Sequence, residues 1–359
     1  MSTATDANVD PASADPARAE SASQDWFAGK LAVVTGGGSG MGRELVRQLA
    51  AQGCSVASCD LNADAVAQTA VMAQAGAPPG VKVTSHACDV SDEAQVLRFR
   101  DELLEAHARD HLHLVFSNAG IGGGESFVGG PREVWERVFA VDWWGVYYCA
   151  RVFLPLLIAS SGGVLVNTSS VNGLWASLGP GVPQTAYSTA KFAIRGFSEA
   201  LIEDLRVNAP HVRVAVVIPG HVGTDIVVNS IRARGLPEPE RMSEAQLDEL
   251  IPRDMRAGLV EAGALPEDAS ADDLRQLLVQ MNAGFRDKAP VSAAQAATVI
   301  LDGVRSGAWR ILIGKDAEDI DTLVRAKPEA AYDYAELARM HAELAAPAAA
   351  ASPPAAEER

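Results

Sequence analysis

The sequence predicts a doubly wound α/β domain, in which helices cover both faces of a mostly parallel sheet. Short and nearly continuous apolar runs, such as "KLAVVT" (30–35) and "VRVAVVIPG" (212–220), recur along the chain. Each run is separated from the next by a segment long enough for a helix. Buried strands joined by helical crossovers are typical of parallel sheets, and such sheets bind ligands at the carboxyl ends of their strands.

Seven apolar runs supply the predicted strands, and the segments between them supply the helices. The predicted strands are 30–35, 55–60, 81–90, 112–120, 162–170, 212–220 and 309–314. The first crossover, "MGRELVRQLAAQG" (41–53), has the spacing of an amphipathic helix and ends at a glycine. Residues 292–307 predict the helix that precedes the last strand.

We expect one domain over residues 26–345, with disordered tails at 1–25 and 346–359. Both tails are rich in alanine and lack apolar runs, and the first tail therefore cannot be a signal peptide. Residues 226–290 break the strand–helix rhythm with charged, helix-forming sequence that leaves the sheet at the carboxyl end of a strand. This insertion predicts a lid over the substrate, with an oligomer contact or a solvated surface excursion as the alternative.

The composition argues against several classes of partner. A hydrophobic fraction of 48% supports a large core, and a net charge of −16 disfavours nucleic acid and anionic membranes. No apolar run reaches the roughly 18 residues that a membrane helix needs. The four cysteines form no CxxC pair, which predicts reduced, buried thiols in a cytoplasmic protein. The histidine spacing predicts no metal site.

A glycine-rich loop, "TGGGSGMG" (35–42), joins the first strand to the first helix. Glycines let the backbone turn tightly and approach a pyrophosphate, and a helix N-terminus offers free N–H groups. The second strand ends at Asp60, 24 residues after Gly36, where a carboxylate binds both ribose hydroxyls and repels a 2′-phosphate. Because no basic residue stands at Ser39 or Leu61, the sequence favours NAD over NADP.

Five motifs in order give the chain its family resemblance. "TGGGSGMG", "NAG" (118–120), "SS" (169–170), "YSTAK" (187–191) and "PGHVGT" (219–224) resemble the motifs of the short-chain dehydrogenase/reductase family. The resemblance covers about residues 28–225 together with 292–314. It implies a cofactor site formed by Gly36, Ser39, Gly40, Met41, Asp60, Leu61, Asp89, Val90, Asn118, Ala119, Gly120, Tyr187, Lys191, Pro219, Val222 and Thr224.

The resemblance also implies that Ser170, Tyr187 and Lys191 are catalytic. Residues four apart on a helix share a face, so Tyr187 and Lys191 are expected to point the same way. A free tyrosine has a pKa of about 10, and a nearby ammonium lowers it by favouring the phenolate. Tyr187 then acts as the general acid/base, Lys191 also binds the nicotinamide ribose, and Ser170 holds the substrate oxygen.

Two features depart from the family pattern. Asp142 occupies the position of a usual asparagine, where it either steadies the charge of Lys191 or signals altered activity; we group it with the catalytic residues. The segment between Ser170 and Tyr187 is longer than is common in the family and reshapes one wall of the substrate pocket. Candidate substrate contacts are Trp175, Leu178, Gln184 and His221. The alternative role for Trp175 is packing against the insertion, and the alternative role for His221 is a contact with the main chain.

The sequence therefore predicts an oxidoreductase that transfers hydride between NAD(H) and an apolar secondary alcohol or ketone. An NADP-preferring carbonyl reductase and a catalytically weak NAD-binding regulatory protein are the alternatives. The helical stretch "REVWERVFAVDWWGVYYCARVFLPLLIAS" (132–160) is unusually apolar for a surface helix. Family members commonly pair this helix and the Tyr–Lys helix across a two-fold axis, so we expect a homodimer or homotetramer.

Overall fold

The computed structural model describes residues 26–123, 126–177, 184–251, 253–261 and 263–333, together with residues 335, 336 and 339. The predicted disordered tails at 1–25 and 346–359 therefore lie outside the described residues. Leu178, one of the candidate substrate contacts, also lies outside them.

A seven-stranded parallel sheet forms the centre of the molecule, as the sequence predicts. The strands are β1 (Leu31–Thr35), β2 (Ser55–Asp60), β3 (Val83–Ala87), β4 (Leu114–Ser117), β5 (Gly163–Thr168), β6 (Val212–Pro219), β7 (Val222–Gly223), β8 (Val291–Ser292) and β9 (Arg310–Ile313). The main sheet has the order β3-β2-β1-β4-β5-β6-β9, and β7 pairs separately with β8. The strand order reverses between β1 and β4, which opens a crevice at their carboxyl ends.

Helices cover both faces of this sheet. Within the described residues, the α-helices are α1 (Gly40–Ala51), α2 (Ala63–Ala75), α3 (Glu93–His107), α4 (Arg132–Phe139), α5 (Gly145–Ile158), α6 (Thr185–Asn208), α7 (Ile226–Ala233), α8 (Glu244–Leu250), α9 (Arg253–Glu261), α10 (Ala271–Asp287), α11 (Ala293–Ser306) and α12 (Lys315–Ala326). A π-helical segment, Ala140–Trp144, joins α4 to α5. The helix predicted from residue 132 onward is thus interrupted by a wider turn, which often marks a functional site.

Two apolar clusters on opposite faces of the sheet form the core. In β1, Leu31 and Val33 face one cluster, whereas Ala32 and Val34 face the other. The first cluster contains apolar residues of α3, α5 and α6, and the second contains those of α1 and α11. Because successive strand residues point to opposite faces and both faces are buried, the central strands are mostly apolar along their length.

The insertion folds around an apolar cluster of its own. Its buried members are Ile231, Met242, Leu247, Ile251, Leu265, Leu274 and Leu278. The two ends of the insertion lie side by side, because Val222 of β7 pairs with Val291 of β8. The insertion therefore leaves and rejoins the domain at nearly one point, next to the carboxyl edge of the main sheet.

Candidate active site

A cavity of about 690 Å³ lies at the carboxyl edge of the sheet, where the strand order reverses. Its walls are the glycine loop, the segments that follow β2, β3 and β4, and the insertion. The predicted cofactor residues that line it are Gly36, Ser39, Gly40, Met41, Asp60, Leu61, Asp89, Val90, Asn118, Ala119, Gly120 and Thr224. Residues far apart in sequence are thus brought together around one cavity.

The glycine loop has no room for side chains. Gly36 and Gly40 have φ values of +69° and +51°, a conformation that favours glycine. A Cβ at Gly36 would lie 2.8 Å from the Cα of Ala119, and a Cβ at Gly42 would lie 2.1 Å from the Gly36 carbonyl oxygen. Ser39, which precedes α1, does not cap it with its side chain. The first-turn N–H groups are therefore available to an anion, and the loop fits a dinucleotide pyrophosphate.

Asp60 is fixed at the end of β2 by two main-chain donors. Its Oδ2 accepts a hydrogen bond of 2.9 Å from the N–H of Gly38, and its Oδ1 accepts one of 2.9 Å from the N–H of Asn62. The neighbouring Leu61 lines the same cavity and is half exposed. The carboxylate is thus held beside the glycine loop, as the ribose-binding prediction requires.

Arg43 is a cavity residue that the sequence analysis missed. Its Nε donates a hydrogen bond of 3.1 Å to Thr69 Oγ1, and a terminal nitrogen donates to the carbonyl of Gly38. The preference for NAD was predicted from the lack of a basic residue at Ser39 and Leu61, whereas Arg43 reaches the cavity from the first turn of α1. Its position in the sequence, directly after the last glycine of the loop, could have indicated that it lies at the cavity.

Asp89 is held by an arginine that comes from α4. Arg137 lies 2.9 Å from the Asp89 carboxylate and also donates to the carbonyl of Ala233 in the insertion. Burial raises the pKa of Asp89, but hydrogen bonds from Ser91 and the charge of Arg137 together hold that pKa below its usual range. Arg137 therefore joins the wall of the cavity to the insertion, a contact that the sequence did not reveal.

Tyr187 and Lys191 lie on one face of α6, in the predicted arrangement. The Lys191 Nζ is 5.3 Å from the centre of the Tyr187 ring and donates a hydrogen bond of 3.3 Å to the Thr168 carbonyl. Lys191 is only 3% exposed. Gly120, which lines the cavity, is its close neighbour, since a Cβ at Gly120 would lie 3.2 Å from Nζ. Lys191 thus lies beside the cavity wall at Gly120, although neither Lys191 nor Tyr187 is itself among the residues that line this cavity.

Asp142 is the buried ionic partner of Lys191. Its Oδ1 accepts a hydrogen bond of 2.8 Å from the N–H of Ile121, and its Oδ2 lies 3.3 Å from Lys191 Nζ. Burial raises the pKa of Asp142 despite the attraction of the ammonium. For Lys191, burial lowers the pKa, but the charges of Asp142 and then Tyr187 outweigh it, so that the pKa is raised.

Two adjacent serines at the end of β5 have different partners. The Ser169 hydroxyl donates a hydrogen bond of 2.7 Å to the main-chain carbonyl of Lys191, and so ties β5 to α6. The Ser170 hydroxyl accepts one of 3.1 Å from the N–H of Asn172. The Asn172 side chain in turn donates to Gln184 Oε1 at 3.2 Å, at the start of α6. Gln184 thus links the serine segment to the Tyr–Lys helix.

Trp175, a candidate substrate contact, lies in an apolar cluster beside the C-terminal helix. This side chain is 4% exposed and packs with Leu323 and Ala330, because the segment after Ser170 runs towards the C-terminal helix α12. It does not line the cavity of the glycine loop, and its contact with a substrate stays a prediction. His221 makes the main-chain contact that was its alternative role, since its Nε2 lies 2.7 Å from the Phe285 carbonyl oxygen.

The segment around His221 is fixed by neighbours on several sides. Asp316 Oδ2 accepts a hydrogen bond of 2.6 Å from the N–H of His221. Val222 is buried in the core, and Pro219 is the last residue of β6. Their predicted cofactor contacts stay predictions, because neither residue lines the cavity described above.

A second cavity, of about 410 Å³, lies beside the start of α6. Apolar residues in its wall include Phe127, Val134, Trp135, Val138 and Ala186. One residue of its wall, Ala186, directly precedes Tyr187 in α6.

The sequence profile of the family described as short chain dehydrogenase matches residues 30–235. The chain is 34% identical over 301 residues to the Mycobacterium tuberculosis protein named SadH, covering 83% of this chain and 91% of SadH. It is 29% identical over 254 residues to D-beta-hydroxybutyrate dehydrogenase of Cupriavidus necator, covering 69% and 93% of the two chains. This protein belongs to the short-chain dehydrogenase/reductase family and is an oxidoreductase of that family.

A solved structure supports the same assignment. A short-chain dehydrogenase/reductase from Burkholderia phymatum, solved in complex with NAD, is similar with a TM-score of 0.63 and 28% identity. The match covers 87% of this chain and 96% of that chain. In the part of the chain that the structure describes, no helix is long and apolar enough to cross a membrane.

Proposed function

We propose that this protein is an NAD-dependent dehydrogenase that interconverts a secondary alcohol and its ketone. The observation that carries the proposal is the position of the Tyr187–Lys191 pair. The pair lies on one face of α6, and its lysine lies beside Gly120, which lines the cavity of the glycine loop. A titratable hydroxyl, a buried ammonium and a dinucleotide cradle at one edge of a sheet are the parts that alcohol oxidation needs.

Each residue of the pair has a separate task in this reaction. When bound, NAD would supply the acceptor for the hydride that leaves the alcohol carbon. Tyr187 removes the hydroxyl proton during oxidation and returns it during reduction. The ammonium of Lys191 stabilises the phenolate of Tyr187 and binds the nicotinamide ribose. Ser170 holds the substrate oxygen by hydrogen bonding, so that the reacting atoms are oriented.

Asp60 supports the choice of NAD over NADP. Its carboxylate is fixed beside the glycine loop and would repel a 2′-phosphate. Arg43 favours the alternative, an NADP-preferring reductase, because its guanidinium lines the same cavity next to Gly38. Hydrogen bonds hold both side chains beside Gly38, so Arg43 is not a free cation for a 2′-phosphate, whereas the negative charge of Asp60 would still repel one; we therefore favour NAD.

The second cavity supports an apolar substrate. Its wall contains Phe127, Trp135 and Val138 and reaches Ala186, next to the proposed general acid/base. Two relatives, a (3R)-3-hydroxyacyl-CoA dehydrogenase of Mus musculus and the Cupriavidus enzyme, are named for substrates that bear a secondary hydroxyl group. We propose that the hydroxyl-bearing carbon lies at Tyr187 and that the apolar remainder extends into this second cavity.

The insertion is proposed to act as a lid. The N–H of Gly122 donates a hydrogen bond of 2.7 Å to Ser230 Oγ, and Asn229 Nδ2 donates one of 2.8 Å to Ser39 Oγ. One helix of the insertion, α7, therefore contacts loops on both sides of the cleft. A lid in this position excludes water from the reacting groups.

We also propose a homodimer or homotetramer in a reducing compartment such as the cytoplasm. Trp144 and Phe192 are 41% and 42% exposed, and they lie on the π-helical segment and α6, the helices expected to pair. Exposed aromatic side chains on such helices favour a protein partner. All four cysteines are free and buried, which suits a reducing compartment.

The test is NADH formation from NAD across a panel of secondary alcohols of increasing size. We expect turnover in the native protein and in Tyr332→Phe, whose tyrosine is 60% exposed and far along the chain. We expect Tyr187→Phe to lose at least about 100-fold in kcat, on the scale of general acid/base catalysis, while it retains NADH binding. Full activity in Tyr187→Phe would overturn the mechanism. Saturable NADH binding without turnover on any alcohol would favour the regulatory alternative.

A further inference from the structure

Asp142 and Lys191 form a neutral pair in a place where the family pattern has a lone positive charge. Both side chains are buried, and Oδ2 lies 3.3 Å from Nζ. Among the described residues, the titratable groups that act on this pair are its own two members and Tyr187. With Tyr187 uncharged, the cluster has no net charge, whereas an asparagine at position 142 would leave it with one positive charge.

The net charge of this cluster affects the electrostatic potential in the cofactor cavity. Gly120 lines the cavity, and a Cβ there would lie 3.2 Å from Lys191 Nζ and 3.3 Å from Asp142 Oδ1. Gly120, a residue of the cavity wall, therefore lies directly beside the pair. Because the pair is shielded from solvent, water screens its charges only weakly.

We propose that Asp142 biases the site towards the oxidised cofactor, NAD⁺, and so suits the protein to alcohol oxidation. This inference rests on the proposed function and adds the direction of the reaction, which is oxidation of the alcohol. The nicotinamide ring carries a positive charge in NAD⁺ and none in NADH, so an uncompensated ammonium at Lys191 disfavours only the oxidised ring. Weaker relative binding of NADH also reduces inhibition by this product. Asp142 acts through Lys191 and is a positioning residue.

The test compares the affinities of the two cofactor forms by isothermal titration calorimetry. Asp142→Asn has nearly the same shape and keeps an acceptor for the N–H of Ile121, while it removes the negative charge. We expect the ratio of the NAD⁺ to the NADH dissociation constant to rise about tenfold, the scale of one unit charge acting across a partly buried site. The control, Asp302→Asn, removes a negative charge from an exposed surface ion pair and leaves the ratio unchanged.

An unchanged ratio in Asp142→Asn would overturn the proposal, as would an equal loss of both affinities, which indicates a structural role. If Asp142→Asn does not fold, the native protein gives the same answer on acidification. Burial raises the pKa of Asp142, so its carboxylate is neutralised as the pH falls, and the ratio then rises. A ratio independent of pH would contradict the proposal. The affinities need no turnover, so failure of the proposed dehydrogenase activity is detected separately.

Discussion

Replacement of Lys191 by methionine removes the positive partner of a fully buried carboxylate. Methionine fills similar space, so the main loss is the ion pair at 3.3 Å. Removing one member of a buried pair costs about 3–5 kcal/mol, because the other charge is left uncompensated. For a domain of about 300 residues, this corresponds to a fall in Tm of roughly 5–8 °C. The measurement is thermal unfolding of the protein without cofactor.

The double variant Asp142→Asn/Lys191→Met separates the pair from its surroundings. It leaves no buried charge, so we expect it to recover most of the stability that either single variant loses. The coupling energy is then at least about 3 kcal/mol, because it exceeds the smaller of the two single losses. The pKa of Lys191 is raised in the folded protein. Its contribution to the free energy of unfolding is therefore fully present below its ordinary pKa of 10.5 and is lost as the pH rises through the raised value. At acid pH, protonation of Asp142 removes the attraction. The coupling is therefore largest between these two limits.

Additive effects of the two substitutions, with no recovery in the double variant, would refute this reasoning. The matched control is Lys315→Met, which removes an ammonium from an exposed ion pair with Asp319. Exposed pairs contribute about 0–1 kcal/mol, so the control is expected to change Tm by less than about 2 °C. A comparable loss in the control would show that the assay reports general effects of the substitution.

Three further changes test the cavities and the loop after β6. Gly42→Ala places a Cβ 2.1 Å from a carbonyl oxygen of the glycine loop, and NADH affinity should fall about 10- to 100-fold by fluorescence titration. Val134→Phe narrows the second cavity and should raise KM about tenfold for bulky alcohols and less for small ones, unlike the exposed Val299→Phe. Asp316→Ala removes the acceptor of the His221 N–H, and NADH affinity should fall about fivefold; an unchanged dissociation constant would contradict this role.

The main sheet was predictable because both of its faces are buried. In β1, Val33 and Val34 face opposite apolar clusters, so positions 31–34 of the strand all need apolar residues. Such runs are visible in the sequence without knowledge of their partners. The glycine loop was predictable for a related reason, because close backbone approach, as between Gly36 and Ala119, permits only glycine.

The surroundings of the site were less predictable, because they depend on contacts between distant parts of the chain. Trp175 is a large aromatic residue of the kind that often lines a substrate pocket, but here it is buried against Leu323 and Ala330. No local pattern indicates which of two apolar environments a single tryptophan will occupy. The π-helical segment was also missed, since an insertion of one extra residue per turn changes the helical periodicity over only five residues. That segment nevertheless places Asp142 against Lys191.

The insertion contributes contacts to the site that no sequence motif indicates. The eight-residue helix α7 bonds the glycine loop through Asn229 and Ser39, and it bonds the segment after β4 through Ser230 and Gly122. These partners are separated by 190 and 108 positions, so periodicity and spacing carry no information about them. Since one short helix contacts both sides of the cleft, its displacement would open the cofactor end and the substrate end together. We therefore expect cofactor exchange and substrate access to depend on the same motion.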